Sequence, residues 1–126
     1  MKLLEVRMRY SLPNFDHEWD EAQRYPELAQ HGESFWLDIS RKGKKVRLSS
    51  LGDVSNMDNE LSGLDVEKVK RAKTSFENGN IELPIVVRIN GSNDLLGGNT
   101  RIAYLQSKNI DPQVWFIDVD SLLKTQ

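Results

Sequence analysis

Cysteine is absent from this chain. That absence excludes disulfides, thiolate nucleophiles and cysteine-based zinc sites together. Histidine is scarce as well, with two in 126 residues, too few for the imidazole sets that grip transition metals, so no metal site is expected. No apolar run approaches the ~20 residues that span a bilayer. Charge begins at Lys2, which leaves no apolar stretch for a signal peptide. The formal net charge is only −2. No global basic field therefore draws the chain onto nucleic acid or anionic lipid, and any contact with DNA must come from a local patch. Repeats, low-complexity tracts and interdomain linkers are missing too. What is present, 38% hydrophobic and 29% charged residues, has the balance of a soluble globular protein. The expectation is one domain over residues 1–126, cytoplasmic, with no membrane contact.

Apolar periodicity outlines the elements. Residues 3–10 alternate as a half-buried strand, with Leu4, Val6, Met8 and Tyr10 on one face. Asp16 is placed to cap a short helix through Arg24, Pro26 to start another turn, and Glu33 to Arg41 to form a helix carrying Phe35, Trp36 and Ile39. Val46 and Leu48 alternate with Lys45, Arg47 and Ser49 as a second strand. The polar stretch from Gly52 to Gly63 reads as a loop, long enough to suggest a functional role. Asp65 caps the clearest helix, which Asn78-Gly79 stops. Pro84 to Ile89 is a strand, Asn90-Gly91 a turn, and a second run passes through Leu95-Leu96. A helix from Arg101 to about Lys108-Asn109 follows, then a strand at Val114 to Ile117 and a short tail. The fold class expected is α+β (or α/β), a small mixed sheet of about four to six strands with helices packed on it. Its core should include Val69, Ala72, Phe76, Ile85, Val87, Ile102, Leu105, Trp115 and Ile117. Trp19 and Trp36 read as core anchors.

Gly97-Gly98-Asn99-Thr100-Arg101 is the strongest chemical signal. A Gly pair between a strand and a helix brings free backbone N–H groups and the positive end of the helix dipole to one point, a ready anion site. Asn99 reads as the N-cap. Arg101 adds a guanidinium suited to phosphate, and because it opposes the helix dipole, it calls for a compensating anion. The plainer alternative is a tight connection in which the glycines only permit the turn.

From Ser62 to Asp118 the order is Leu-Asp, amphipathic helix, Asn-Gly, Leu-Pro-Ile-Val-Val, turn, Leu-Leu-Gly-Gly-Asn-Thr-Arg, helix and strand. This order resembles the ParB/sulfiredoxin superfamily, whose core has a "PI-V" strand and a Gly-x-x-x-Arg turn leading into a helix. The resemblance implies a core over residues 62–118 and a family-specific part over 1–61. It also implies a nucleotide, ATP or CTP with Mg²⁺, held through its phosphates by Gly97, Gly98, Asn99, Thr100 and Arg101. The chain departs from two well-known branches: sulfiredoxins need a cysteine beside the arginine, and partition ParB proteins usually carry two adjacent basic residues and a following helix-turn-helix domain. Members closer in size include free-amino-acid kinases, proposed nucleases and small phage-encoded proteins of unassigned role.

Phosphoryl transfer requires a carboxylate near the phosphates. Glu60 and then Asp58, in the loop ahead of the long helix, are the candidates, against a plain solvated turn. The acidic stretch Asp16 to Glu21 offers i, i+4 pairs (Asp16 with Asp20, His17 with Glu21), but an exposed acidic helix is the simpler reading. Residues 41–47 hold five basic side chains in seven. Lys42, Lys44, Lys45 and Arg47, with Arg7 and Arg9, are a candidate nucleic-acid patch, with a solvated turn as the alternative. The function expected is therefore a nucleotide-phosphate-binding protein, a phosphotransferase or hydrolase. The alternatives are a non-catalytic DNA- or nucleotide-binding module, or a host-directed interaction protein. The oligomeric state is left open.

Overall fold

Ile85, Val86 and Val87 are all buried, so the strand they form must be covered on both faces. The covering follows from the chain order. A computed structural model describes residues 9–57 and 63–124. Strand β1 is Arg9–Ser11; helices α1, α2 and α3 are Trp19–Ala22, Pro26–Ala29 and Gly32–Ser40; β2 is Lys44–Arg47, running into a 3₁₀ turn at Leu48–Leu51. Then come α4 (Val66–Glu77), β3 (Asn80–Glu82), β4 (Ile85–Ile89), β5 (Ser92–Gly97), α5 (Asn99–Ser107), β6 (Gln113–Asp118) and α6 (Val119–Lys124).

The main sheet has the order β2-β6-β4-β5, with β4 parallel to β6 and the outer pairings antiparallel. A parallel pair, β1 with β3, forms a second small sheet. Alternation sorts the main sheet's side chains into two layers. Ile85, Val87, Ile89, Leu96 and Ile117 pack with Ala22, Leu28, Trp36 and Ile39 from the first three helices. Val86, Leu95 and Val114 pack with Ile102 of α5. Leu105 of the same helix joins Ile81 and Ile110, with Phe76 and Tyr10 against them. Helix α5 thus buries Ile102, Ala103, Tyr104 and Leu105 in succession. The result is a single α+β domain.

The expected elements appear, with local corrections. Pro26 does open a helix at its first position, and Asp65 caps α4 by accepting from the N–H groups of Glu67 and Lys68 at 2.8 and 3.4 Å. The turn at Asn90-Gly91 has φ of 54° and 78°, the left-handed pair that a tight hairpin demands and that Asn-Gly adopts readily. Asp16, by contrast, does not cap α1. Glu18 is the N-cap residue there, with no side-chain bond, while Asn14 closes the preceding turn by accepting from the His17 N–H at 3.1 Å. Strand β3 was not expected: three residues are too few to show a period. Of the expected core, Ala72, Ile85, Val87, Ile102, Leu105 and Ile117 are buried, whereas Val69, Phe76 and Trp115 are half-buried. Trp36 is fully buried, with its indole N–H donating to Phe15 O at 2.8 Å; Trp19 packs half-buried against the same cluster. Of the expected strand over residues 3–10, Arg9 and Tyr10 fall within β1 and residues 3–8 lie outside the described residues.

Candidate functional site

Gly97 ends β5, and Gly98, at φ 97°, is the N-cap of α5. Asn99 is the first helical residue and not the cap. The reason is steric. A Cβ at Gly98 would stand 2.5 Å from Pro84 Cβ and 2.7 Å from its Cα, so only glycine can bring the turn this close to the β3–β4 connection. The register of β4 with β5 shifts between Ile85 and Val86. Leu95 and Leu96 bury on opposite faces, as strand alternation dictates, and an irregularity of this kind bends the strand just before the helix. The first bond of α5 runs from the Ile102 N–H to Gly98 O at 3.0 Å, and Gly98 has no side chain to cap the turn above it.

Arg101 folds back over Gly98, with Nη2 3.0 Å from where a Cβ would be. Its Nη1 donates to Glu82 O at 3.0 Å and pairs with Glu82 Oε2 at 3.3 Å. The anion that Arg101 calls for is thus supplied by the protein's own Glu82, at the end of β3.

This turn opens on a cleft of about 830 Å³, within the range of small-molecule sites. All of Gly97, Gly98, Asn99, Thr100 and Arg101 line it. The opposite wall is one stripe of α4, with Lys68, Arg71, Ala72 and Ser75 at the i, i+3, i+4, i+7 spacing of a helix face. A third wall comes from His17, Glu18, Asp20 and Glu21, so the N-terminal half folds over the Gly-rich turn. Glu18 reaches furthest in: a Cβ on Gly97 would lie 2.9 Å from its Oε2. Burial pushes the Glu18 carboxyl above its ordinary range, Arg101 pulls it back, and Glu82 adds to the rise. A half-buried carboxyl that holds its proton more readily than usual suits proton transfer. The acidic stretch is therefore not simply an exposed helix face.

Asp58 and Glu60 lie outside the described residues; Gly63, Leu64 and Asp65, which follow them, line the cleft. The basic run is placed elsewhere. Lys44, Lys45 and Arg47 are exposed on β2, the edge of the main sheet opposite β5, and Lys42 pairs with Asp38 at 3.5 Å. Arg9, on β1, pairs with β3 and not with β2, so it does not extend that patch; Arg7 lies outside the described residues. Among the described residues no three His, Asp or Glu side chains converge on a common metal position.

Sequence reasoning missed Glu18, Glu82, Lys68 and Arg71 as cleft residues. Lys68 and Arg71 carried a signal, since they share a helix stripe with Ala72. Glu82 carried none, because its meeting with Arg101 depends on how β3 is placed beside α5. Comparisons with protein-family models, with curated proteins and with solved structures give no match.

Proposed function

We propose that the cleft binds a nucleotide through its phosphates, ATP or CTP, as the resemblance to the ParB/sulfiredoxin superfamily implies. The observation that carries this reading is convergence: the helix N-terminus at Gly98–Arg101 and the cations Lys68 and Arg71 face one cavity of nucleotide size. Five carboxylates (Glu18, Asp20, Glu21, Asp65 and Glu82) also line it, against three permanent cations. That surplus favours phosphates that arrive with a divalent ion. Magnesium fits the donor set, since it needs one or two carboxylates beside phosphate and water oxygens. Glu82, once displaced from Arg101, would hold it, and it would supply charge neutralisation on the phosphates. For phosphoryl transfer or hydrolysis, Glu18 accepts the proton of the attacking hydroxyl or water, and Glu60 and Asp58 stand close in sequence to the same wall.

Calorimetry with ATP, CTP and their diphosphates, with and without Mg²⁺, tests this reading. Arg101→Ala and Arg71→Ala should each weaken binding about tenfold, the loss of roughly 1.4 kcal/mol. Absence of binding in the wild type defeats the reading. Glu18→Gln should bind nucleotide but lose turnover; unimpaired turnover removes Glu18 from the chemistry.

The exposed Lys44, Lys45 and Arg47 on β2 favour a second reading, a non-catalytic module that contacts DNA phosphates. Affinity for DNA should then fall steeply with salt and weaken on charge reversal at Lys44 and Lys45. No binding at low salt ends that reading.

A further inference from the structure

Beside the anion cleft, past Glu21, lies a second chamber of about 520 Å³ lined by Glu21, Arg24, Tyr25, Asn56, Leu95 and Leu96. Glu21, Asn56, Leu95 and Leu96 line both spaces, so the two adjoin across a shared wall.

The chamber's walls are held from several directions. Pro26 constrains the residue before it to an extended backbone, and Tyr25 has φ −89° and ψ 119°. This break between α1 and α2 sets the Tyr25 ring over β5. Its hydroxyl donates to Asp94 Oδ2 at 3.3 Å, and Asp94 Oδ1 in turn accepts from Ser92 Oγ at 2.8 Å. Asn56 is fixed from the other side. The Ser55 N–H donates to Asn93 O and the Leu95 N–H donates to Ser55 O, both at 2.9 Å, which clips this loop onto β5. Asn56 itself sits at φ 69°, a conformation asparagine tolerates well, and it lines the chamber together with Tyr25.

The chemistry is that of a planar polar ring. Tyr25 offers an aromatic ring, and the floor is the β5 strand at Leu95 and Leu96, whose own side chains are buried. The Asn56 amide offers both a donor and an acceptor, and at the rim Glu21 and Arg24 pair with each other at 3.3 Å. Leu95 lies three residues before Gly98 along an extended strand, roughly 10 Å. A ligand anchored at Gly98 by its phosphates therefore reaches back along β5 into this chamber.

We propose that the chamber lined by Tyr25 and Asn56 is the base subsite of the cleft, taking the heteroaromatic ring of a nucleoside polyphosphate whose phosphates lie at Gly98–Arg101. This assignment rests on the phosphate reading above, and it adds that the ring contributes affinity of its own. Stacking of a base on an aromatic side chain is worth about 1–3 kcal/mol, or roughly five- to 150-fold in affinity.

The test compares calorimetric affinities for ATP, CTP and inorganic tripolyphosphate in the wild type, Tyr25→Ala, Tyr25→Phe and Asn56→Gly. At least one nucleotide should bind the wild type tenfold or more tightly than tripolyphosphate does. Tyr25→Ala should remove that advantage and leave tripolyphosphate binding unchanged, while Tyr25→Phe retains most of it. Asn56→Gly keeps the left-handed backbone and deletes only the amide; it should lower nucleotide affinity several-fold, and it serves as the readout if Tyr25→Ala does not fold. Equal affinities for nucleotide and tripolyphosphate overturn the base subsite and leave the phosphate reading standing. So does full nucleotide affinity in Tyr25→Ala or, where that variant does not fold, in Asn56→Gly. If neither ligand binds the wild type, the phosphate reading falls and the subsite falls with it.

Discussion

Arg101 is the residue on which the site turns, and in the free protein it is already engaged. Its pair with Glu82 spans 3.3 Å, and the two side chains are 23% and 42% exposed. At that exposure the pair is worth about 1 kcal/mol or less, so an incoming phosphate can displace the Glu82 carboxylate. On the proposed phosphate reading, Glu82 is a competitor for the guanidinium. In the absence of Mg²⁺, Glu82→Gln should raise the affinity for tripolyphosphate by up to about fivefold, in keeping with a pair of that strength. Titration of the variant beside the wild type checks this, and reduced affinity would mean that Glu82 instead holds Arg101 in its binding pose. This competition was invisible in the sequence. Arg101 could be singled out because it opposes the helix dipole, a local effect, whereas its partner lies on a strand nineteen positions earlier that three residues cannot announce.

Elements were legible where the signal is periodic or is carried by one residue type. The 3.6-residue pattern of α4, its Asp65 cap, the Pro26 start and the Asn90-Gly91 turn all follow from local stereochemistry. Asn99 shows the limit. Asparagine is a better cap than glycine by side chain, but Pro84 presses on the preceding position, and that contact hands the cap to Gly98. The consequence is measurable. Gly98→Ala combines a left-handed φ with a clash against Pro84 backbone, and should destabilise the fold by about 3 kcal/mol in urea unfolding. Gly97→Ala meets only the movable tip of Glu18, and should cost about 1 kcal/mol or less. A similar loss in both would place the strain elsewhere.

The β4–β5 turn has a second support, in α6. Asp120 accepts from the N–H groups of Asn90 and Gly91, both at 2.8 Å. These bonds, the one from Gly91 foremost, hold its carboxyl below the ordinary value. A depressed pKa in the folded state means that the stabilisation is fully present above the unfolded-state value. It is then lost as pH falls through the lowered one. Asp120→Asn should therefore cost about 1 kcal/mol at neutral pH. The gap from wild type should close as the pH falls through the depressed folded-state pKa, as thermal or urea melts across that range would show.

At the scale of the molecule, the sequence conveyed the α+β class and every described strand except β3, but neither the strand pairings nor how the N-terminal part packs. Residues 62–118 carry the resemblance, and that invites the view that residues 1–61 are an appendage. Packing shows otherwise. Ala22, Leu28, Trp36 and Ile39 are each 0% exposed and cover the face formed by Ile85, Val87, Ile89 and Ile117, and β2 supplies an edge strand of the main sheet. Periodicity could mark these helices as amphipathic, but not which face of which sheet they seal. The same segment brings Glu18 to the cleft and Tyr25 to the chamber beside it, so its role in the core and its role at the site are one placement. A chain lacking residues 1–61 would uncover that sheet face; exposing a single large apolar side chain costs about 1.5–3 kcal/mol, and four would cost roughly 6–12 kcal/mol, as much as the ~5–15 kcal/mol by which most domains are stable. It should show no cooperative melt and should bind a hydrophobic dye, whereas a folded, monomeric fragment with a sharp transition would mean that residues 62–124 form a self-sufficient core.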